Sequence, residues 1–387
     1  MNRWVMWSGW LALLIALPAQ ALEVDREVWP RLTLGGRVIG TLDLANGVSD
    51  GAIDNGVTIA DSGLLLRLDK RLYQHGIGGA VLGYEDFDGA VRLTQANAFY
   101  WDRDIEVHVG AQRLRNELIE FPVLRDDDVL GLAHVGNAAA DDEYGQFYGR
   151  LVAVDWYVDG RNQALDLWLG NREQDAGHVS AGQAVAGFNS VGLGYHYQQS
   201  NDLIYVERWR SAGIALDAQR VQTAAGIEEW MAALIAAADV NLNIDPAASW
   251  SLVMQAIYND GITHDGVIST LSERARARSQ SWVTALRYTA RPNLLTRWQA
   301  ALTVGYKEFP DHSDASQWTV IPTYVRLLGQ GVAAVAQLKY SGYGAGLYQG
   351  GEDVAVQIGI SYSLDARFND TIGERNSILN LQYGQQL

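Results

Sequence analysis

The sequence predicts an all-β protein: a single transmembrane antiparallel β-barrel of about 16 strands, within bounds of roughly 14 to 18, with short turns at one end and long loops at the other. Three observations predict it. Apolar residues recur at every second position through segments of about ten residues, which is how a strand with one lipid face and one wet face is written. The amino terminus carries an export leader. Connections between the alternating segments are short and long in turn.

The leader comes first. Arg3 supplies a positive start, and Trp4 to Leu17 is apolar apart from Ser8 and Gly9. Pro18 breaks the helix, and Ala19-Gln20-Ala21 forms a small-x-small cleavage site. Residues 1–21 are therefore expected to be removed, leaving a barrel over 22–387 that starts at Leu22. The apolar run is shorter than the ~20 residues a membrane-spanning helix needs, which argues against a retained anchor.

Alternation follows. Leu32, Leu34, Val38, Leu42 and Leu44 share one parity, and Thr33, Arg37, Thr41 and Asp43 the other. Leu64, Leu66, Leu68 and Leu72 oppose Arg67, Asp69 and Arg71, while Ile105, Val107 and Val109 oppose Glu106, His108 and Gln112. Trp298, Ala300, Leu302, Val304 and Tyr306 oppose Arg297, Gln299, Thr303 and Lys307. Val332 to Tyr340 sets apolar residues against Gln337 and Lys339, and Asp353 to Leu364 sets them against Gln357, Ser361 and Ser363. A soluble sandwich also alternates. Lipid removes that option, because an open sheet edge has no water to bond its N–H and C=O groups, so the sheet closes.

The short connections are Gln74–Gly76, Asp102–Asp104, Asp159–Asn162, Gln199–Asn201, Asp245–Ser249, Ala290–Asn293 and Gly329–Gly331. The long ones are Ala45–Asp61, Arg115–Gly145, Arg172–Ala186, Arg210–Gly226, Asn259–Ser279, Glu308–Ala315 and Ser341–Glu352, with a brief one near Asp86–Ala90 on the same side. The tally of strand-like segments is about 17, whereas bacterial barrels are even. Two places carry the ambiguity. Gly226 to Asp239 is Ala-rich and fits a helix, one strand or parts of two, and Ser377 to Tyr383 is a short final strand.

Composition agrees. The 13 Trp and 18 Tyr suit two membrane interfaces. Trp101, Trp156, Trp168, Trp209, Trp250, Trp282, Trp298 and Trp318 are the candidate girdle residues. Overall hydropathy is near neutral, too polar for a helical membrane protein. A net charge of −16 gives no basic footprint for nucleic acid. There is no Cys, hence no disulfide, thiolate nucleophile or thiolate metal site. No internal repeat, linker or second domain is visible.

On these features the whole chain after the leader resembles the Gram-negative porins and porin-like outer-membrane channels. The chain departs from that family's common ending, a terminal Phe, with Gln385-Gln386-Leu387. The resemblance implies a cell outer-membrane location and passive passage of small hydrophilic solutes or ions. It implies contact with outer-membrane lipid and lipopolysaccharide, allows a homo-oligomer, and calls for no cofactor. In 16-stranded porins the loop after the fifth strand folds into the lumen. Here that loop is Arg115 to Gly145, with Glu117, Glu120, Arg125, Asp126, Asp127 and Asp128 as candidate constriction residues and Leu118, Ile119, Phe121, Val123, Leu124, Val129 and Leu130 as its anchors.

The polar parity then gains a role. Arg37, Arg67, Arg71, Arg287, Arg297, Lys307, Lys339 and Gln357 are expected to line the pore. Facing lipid at mid-depth, an Arg or Lys would cost roughly 2–4 kcal/mol. The alternative is that these cations pair with Asp43, Asp69, Glu85 and Asp166 and fill a closed barrel with a structural or assembly role. An outer-membrane lipid hydrolase is a weaker reading. The stretch around His196 lacks the His-x-Ser of barrel lipid hydrolases, since Gln198 stands two residues after His196. Asp126–Asp128 and Asp141-Asp142-Glu143 lack the spaced ligands of a calcium loop, so no metal is expected.

Overall fold

A computed structural model describes residues 30–47, 56–72, 76–87, 90–116, 118–119, 121–124, 130, 148–159, 162–172, 187–198, 209–222, 228–243, 245, 247–263, 268, 275–293, 296–329 and 331–368. The leader, Glu117, Glu120, Arg125 to Val129, the acidic run 141–143 and the tail segment Ser377–Tyr383 lie outside the described residues.

The described residues form strands and connections, with no helix. In chain order the strands are β1 Arg31–Asn46, β2 Gly56–Arg71, β3 Ile77–Phe87, β4 Ala90–Asp102, β5 Ile105–Arg113, β6 Tyr148–Asp159, β7 Gln163–Asn171 and β8 Ser190–Gln198. They continue as β9 Trp209–Gln222, β10 Glu228–Asn241, β11 Ala248–Thr263, β12 Ala275–Asn293, β13 Thr296–Glu308, β14 Ser316–Gly329, β15 Val332–Tyr343 and β16 Gly351–Phe368. Each pairs antiparallel with its sequence neighbours, and β16 returns to β1, closing a barrel of sixteen. The closing seam is long, running from Leu32 against Phe368 to Asn46 against Val354.

The parity rule orients the wall. Along β1, Val38, Leu42 and Leu44 stand outside, while Thr33, Thr41 and Asp43 are buried inside. Along β13, Leu302 is outside while Gln299 and Thr303 are buried. In the isolated chain the exposed face is thus the apolar one, the inverse of a water-soluble fold, and lipid is the solvent that suits it. Aromatic rings mark its height. Trp250, Tyr288, Trp298 and Tyr324 stand in successive contact across β11 to β14, with centroid separations of 4.8, 5.1 and 6.1 Å. Trp282 meets Tyr306, and Trp318 meets Tyr340, nearer the other end. Trp298 and Tyr306 are eight residues apart on β13. At ~3.4 Å per residue and a ~40° tilt that is about 20 Å of height, close to the ~25 Å apolar band of an outer-membrane barrel.

Several expectations are corrected. Trp101 and Trp168 point inward and are buried, because they sit on the parity of Phe99 and of Ala164 and Asp166. Parity outweighs the preference of Trp for interfaces. Arg210–Gly226 is not a loop: residues 209–222 are β9, and the connection to β10 is 223–227. Ala212, Ala215 and Ala218 on both parities had blurred its period of two. The expected turn at Gln199–Asn201 lies outside the described residues, between the end of β8 at Gln198 and the start of β9 at Trp209. The Ala-rich stretch belongs to a single strand, β10, so the barrel reaches sixteen without the tail segment.

Candidate functional site

The interior is built by the inward parity together with the segment that follows β5. After Arg113 the chain turns into the barrel, and its apolar side chains find partners on successive strands. Leu114 and Leu118 pack on Leu151, Ala153, Trp168 and Ala215 of β6, β7 and β9. Leu118 also meets Ala233, Ile235 and Ile257 of β10 and β11. Ile119, Phe121, Val123 and Leu130 pack on Ala237, Val253, Val283, Ala285 and Ile321, which reaches β14. Leu124 contacts Ile39 of β1 and Val335 of β15. The segment is a strap laid across the lumen, held by an apolar band on an otherwise polar inner wall.

Polar clamps fix its root and a second point along it. At the root, Arg115 donates from Nε and Nη2 to the two carboxylate oxygens of Asp155, at 3.2 and 3.1 Å. Asn116 Nδ2 donates to Asp217 Oδ2 at 2.8 Å. Asp217 is also ion-paired with Arg172, and both side chains are buried. Across the lumen from the root, the Leu124 amide donates to Gln337 Oε1 at 2.8 Å. Gln337 is itself positioned: its Nε2 donates to Gln357 Oε1 at 2.8 Å, and Thr323 donates to its Oε1 at 3.2 Å. Asn116, Asp217, Arg172 and Gln337 were not singled out from the sequence. Asn116 and Asp217 are 101 residues apart, Leu124 and Gln337 213, and Arg172 and Asp217 45, beyond any periodic signal.

The expected pore-lining residues all fall on the inward parity. Arg67 is buried, 3.3 Å from Asp69, with its guanidinium 4.3 Å from the Phe99 ring centroid. Asp69 is shared with Arg31, which grips it at 3.0 and 2.6 Å. Arg287 bonds Asp239 at 2.6 Å and Ser251 at 2.9 Å. Gln357 is buried beside Gln337. Arg37, Arg297, Lys307 and Lys339 are half-buried, and Arg71 is exposed at the end of β2. Thus Arg67 and Arg287 are paired with carboxylates, in part as the closed-barrel alternative anticipates. Of the candidate constriction residues, the charged ones are not among the described residues, whereas the apolar anchors Leu118, Ile119, Phe121, Val123, Leu124 and Leu130 are in place.

Near the short-turn end three carboxylates stand in a row on adjacent strands: Glu106 is opposite Asp155, and Asp155 opposite Asp166. Like charges directly opposite each other repel. The row is compensated by Arg115 on Asp155, by His108 Nε2 at 3.1 Å from Glu106, by Tyr157 donating to Glu106 at 2.9 Å, and by His196 Nδ1 at 2.6 Å from Asp166. Glu106, His108 and Asp155 offer ligand atoms within 4.8 Å of one another. Both oxygens of Asp155 already accept from Arg115, so a cation there would displace a guanidinium. The imidazole of His196 is committed to Asp166, and the residue where a hydrolase of this type places its Ser is Gln198.

No protein-family model and no curated protein matches the sequence. Solved structures do match the fold. The anion-selective porin from Comamonas acidovorans is 15% identical over 87% of this chain and 100% of its own, with a TM-score of 0.61. The outer membrane channel DcaP of Acinetobacter baumannii is 10% identical over 89% of this chain and 100% of its own, TM-score 0.55. The outer membrane protein OmpT of Vibrio cholerae, in trimer form, is 9% identical over 87% and 99%, TM-score 0.53. At such identities the likeness is one of fold, and the fold is that of the outer-membrane porins.

Proposed function

We propose that this porin-fold barrel is a passive diffusion channel for small hydrophilic solutes or ions in the outer membrane of a Gram-negative bacterium. One observation carries the reading: a strap clamped at Asn116 and Leu124 crosses a lumen whose wall bears charged and amide side chains. A barrel that only had to be stable would be filled from its own wall. A strap held at mid-height narrows a passage without closing its two mouths. In this reading Arg37, Arg67, Arg71, Arg287, Arg297, Lys307, Lys339 and Gln357 line the path, and residues 115–145 form the constriction, with Glu117, Glu120 and Arg125 to Asp128 at its edge. Charges there act strongly because little water screens them.

The leader directs export, the exposed apolar band meets lipid, and the long loops meet lipopolysaccharide. A homo-oligomer is part of the proposal, supported by the trimer form of the Vibrio cholerae protein. No cofactor and no catalysis enter it. The competing reading, a filled barrel with an assembly role, draws on the buried pairs Arg31–Asp69 and Arg172–Asp217. Single-channel recording of the purified protein in planar bilayers separates the two. Discrete conductance steps are expected, and a heat-modifiable, strand-rich protein that never conducts leaves only the filled barrel standing.

A further inference from the structure

Charge is distributed unequally around the inner wall. On the arc from β5 to β10, the carboxylates Glu106, Asp155, Asp166, Asp217 and Asp239 are all buried, with exposures of 7% or less. Each is covered by a basic partner. His108 lies on Glu106, Arg115 on Asp155, His196 on Asp166, Arg172 on Asp217, and both Arg210 and Arg287 on Asp239. The arginine partners offset the carboxylates they cover, and Arg172 and His108 are themselves as buried as the acids beside them.

The arc from β13 to β16 differs. Its described inward side chains are mostly hydroxyls, amides and small residues, such as Gln299, Thr303, Thr319, Gln337 and Ser341. Among the residues whose side chains are described, its inward charges are Arg297, Lys307, Lys339 and Asp353. Asp353 is 6% exposed and accepts from Tyr343 Oη at 2.6 Å. The three cations are half-buried, so they reach past the shorter side chains toward the lumen. Among the described residues no carboxylate pairs with Lys307 or Lys339. The Lys307 ammonium instead sits 5.1 Å from the Phe309 ring centroid, a contact that positions the charge without neutralising it.

The register sets their heights. Ile321, which touches the strap, is opposite Thr303 on β13, so Lys307 lies four residues nearer the long loops. Val335 also meets the strap, and Lys339 lies four residues beyond it in the same direction. Arg297 lies six residues from Thr303 toward the short turns. Cations therefore flank the strap on both sides along one arc, with Lys307 and Lys339 about 10 Å in height from it, near a Debye length, and Arg297 farther off at about 15 Å.

We propose that the solute path follows the β13–β16 arc and selects small hydrophilic anions, with Lys307 and Lys339 as the selectivity residues on the long-loop side and Arg297 on the other. The inference rests on the channel reading above and names its substrate class. It runs against the chain's net charge of −16, because the acids of the β5–β10 arc are buried beside basic partners. The test is the reversal potential of the full-length protein in planar bilayers under a potassium chloride gradient. Chloride is expected to permeate faster than potassium. Lys307→Gln with Lys339→Gln is expected to lower the chloride preference about twofold or more, since a fixed charge in a narrow pore is weakly screened. Arg326→Gln, on the exposed outer face of β14, is expected to leave it unchanged. A wild-type preference for potassium overturns the inference and leaves the channel standing, as does a double variant that folds, conducts and keeps the wild-type ratio. Failure to conduct at all overturns the channel and the inference with it.

Discussion

Asp217 is the residue on which the strap's root and the β7 end converge, bonded by Asn116 and ion-paired with Arg172 in a fully buried setting. Removing one partner of such a pair strands a buried charge, and the typical cost is about 3–5 kcal/mol. Asp217→Ala is therefore expected to lower the temperature at which the barrel's compact electrophoretic form is lost. Asp217→Asn keeps the Asn116 bond and should fall between that variant and the wild type. Equal midpoints for all three would remove Asp217 from its clamping role. Gln337→Leu probes the opposite clamp, where the lost group is neutral and the expected cost is only about 1–3 kcal/mol. At this scale the sequence was partly legible. The apolar anchors could be picked out because Leu118, Ile119, Phe121, Val123, Leu124 and Leu130 are conspicuous in a stretch with no strand pattern. Asp217 and Gln337 could not, because on their own strands they are ordinary members of the polar parity. Trp101 and Trp168 show the converse, that judging by residue type fails where parity decides.

Among the elements, the strap is the one whose removal should be read electrically. Deleting Glu117 to Asp128 withdraws its apolar band from the wall and is expected to raise single-channel conductance. Changing Asp126, Asp127 and Asp128 to Asn should move the reversal potential toward anions. Normal insertion with wild-type conductance and selectivity in both variants would show that the strap has no part in the constriction. The loops after β11, β13 and β15 form a second assembly, in which Ile268, Ala277, Phe309, Ala315 and Leu347 share a small core. Arg278 donates to both oxygens of Asp311 at its rim, through Nε at 2.8 Å and also through Nη2. These hydrogen bonds hold the Asp311 carboxyl below the ordinary carboxylate range. A depressed folded value means that the contribution is present above the ordinary range and lost as pH falls through the lowered value. The protection factors of the amides in 309–315, that is, their exchange relative to the intrinsic rate at each pH, should stay constant from neutral pH down to about pH 4 and then fall selectively. In Arg278→Gln the selective loss of protection should vanish; an identical acid profile in that variant would rule the contact out as its cause. The strands themselves were legible wherever large apolar residues held one parity, as in β1, β2 and β13. They were not where Ala occupied both, as in β9.

For the whole molecule, the barrel's closure and the proposed export leader have testable reach. Amino-terminal sequencing of protein recovered from outer membranes should begin at Leu22, and an intact Met1 there would disprove cleavage. The class of fold was legible because lipid imposes a two-residue period on every strand and leaves no other arrangement that bonds every backbone group. The count was less so, since the ends of a barrel look like any other strands until the seam between them is seen. That seam has a temporal meaning. The first strand, Arg31–Asn46, waits for its second neighbour until Gly351–Phe368 has been synthesised and exported. Contacts this distant in the chain form late and slowly. Until then two rows of N–H and C=O groups remain open, each able to template pairing with a stranger. A chain shortened by that last strand should not make a slightly smaller barrel. It should reach the periplasm as an unfinished ribbon, dependent on whatever holds nascent chains apart there, and be cleared or aggregate before it meets the membrane.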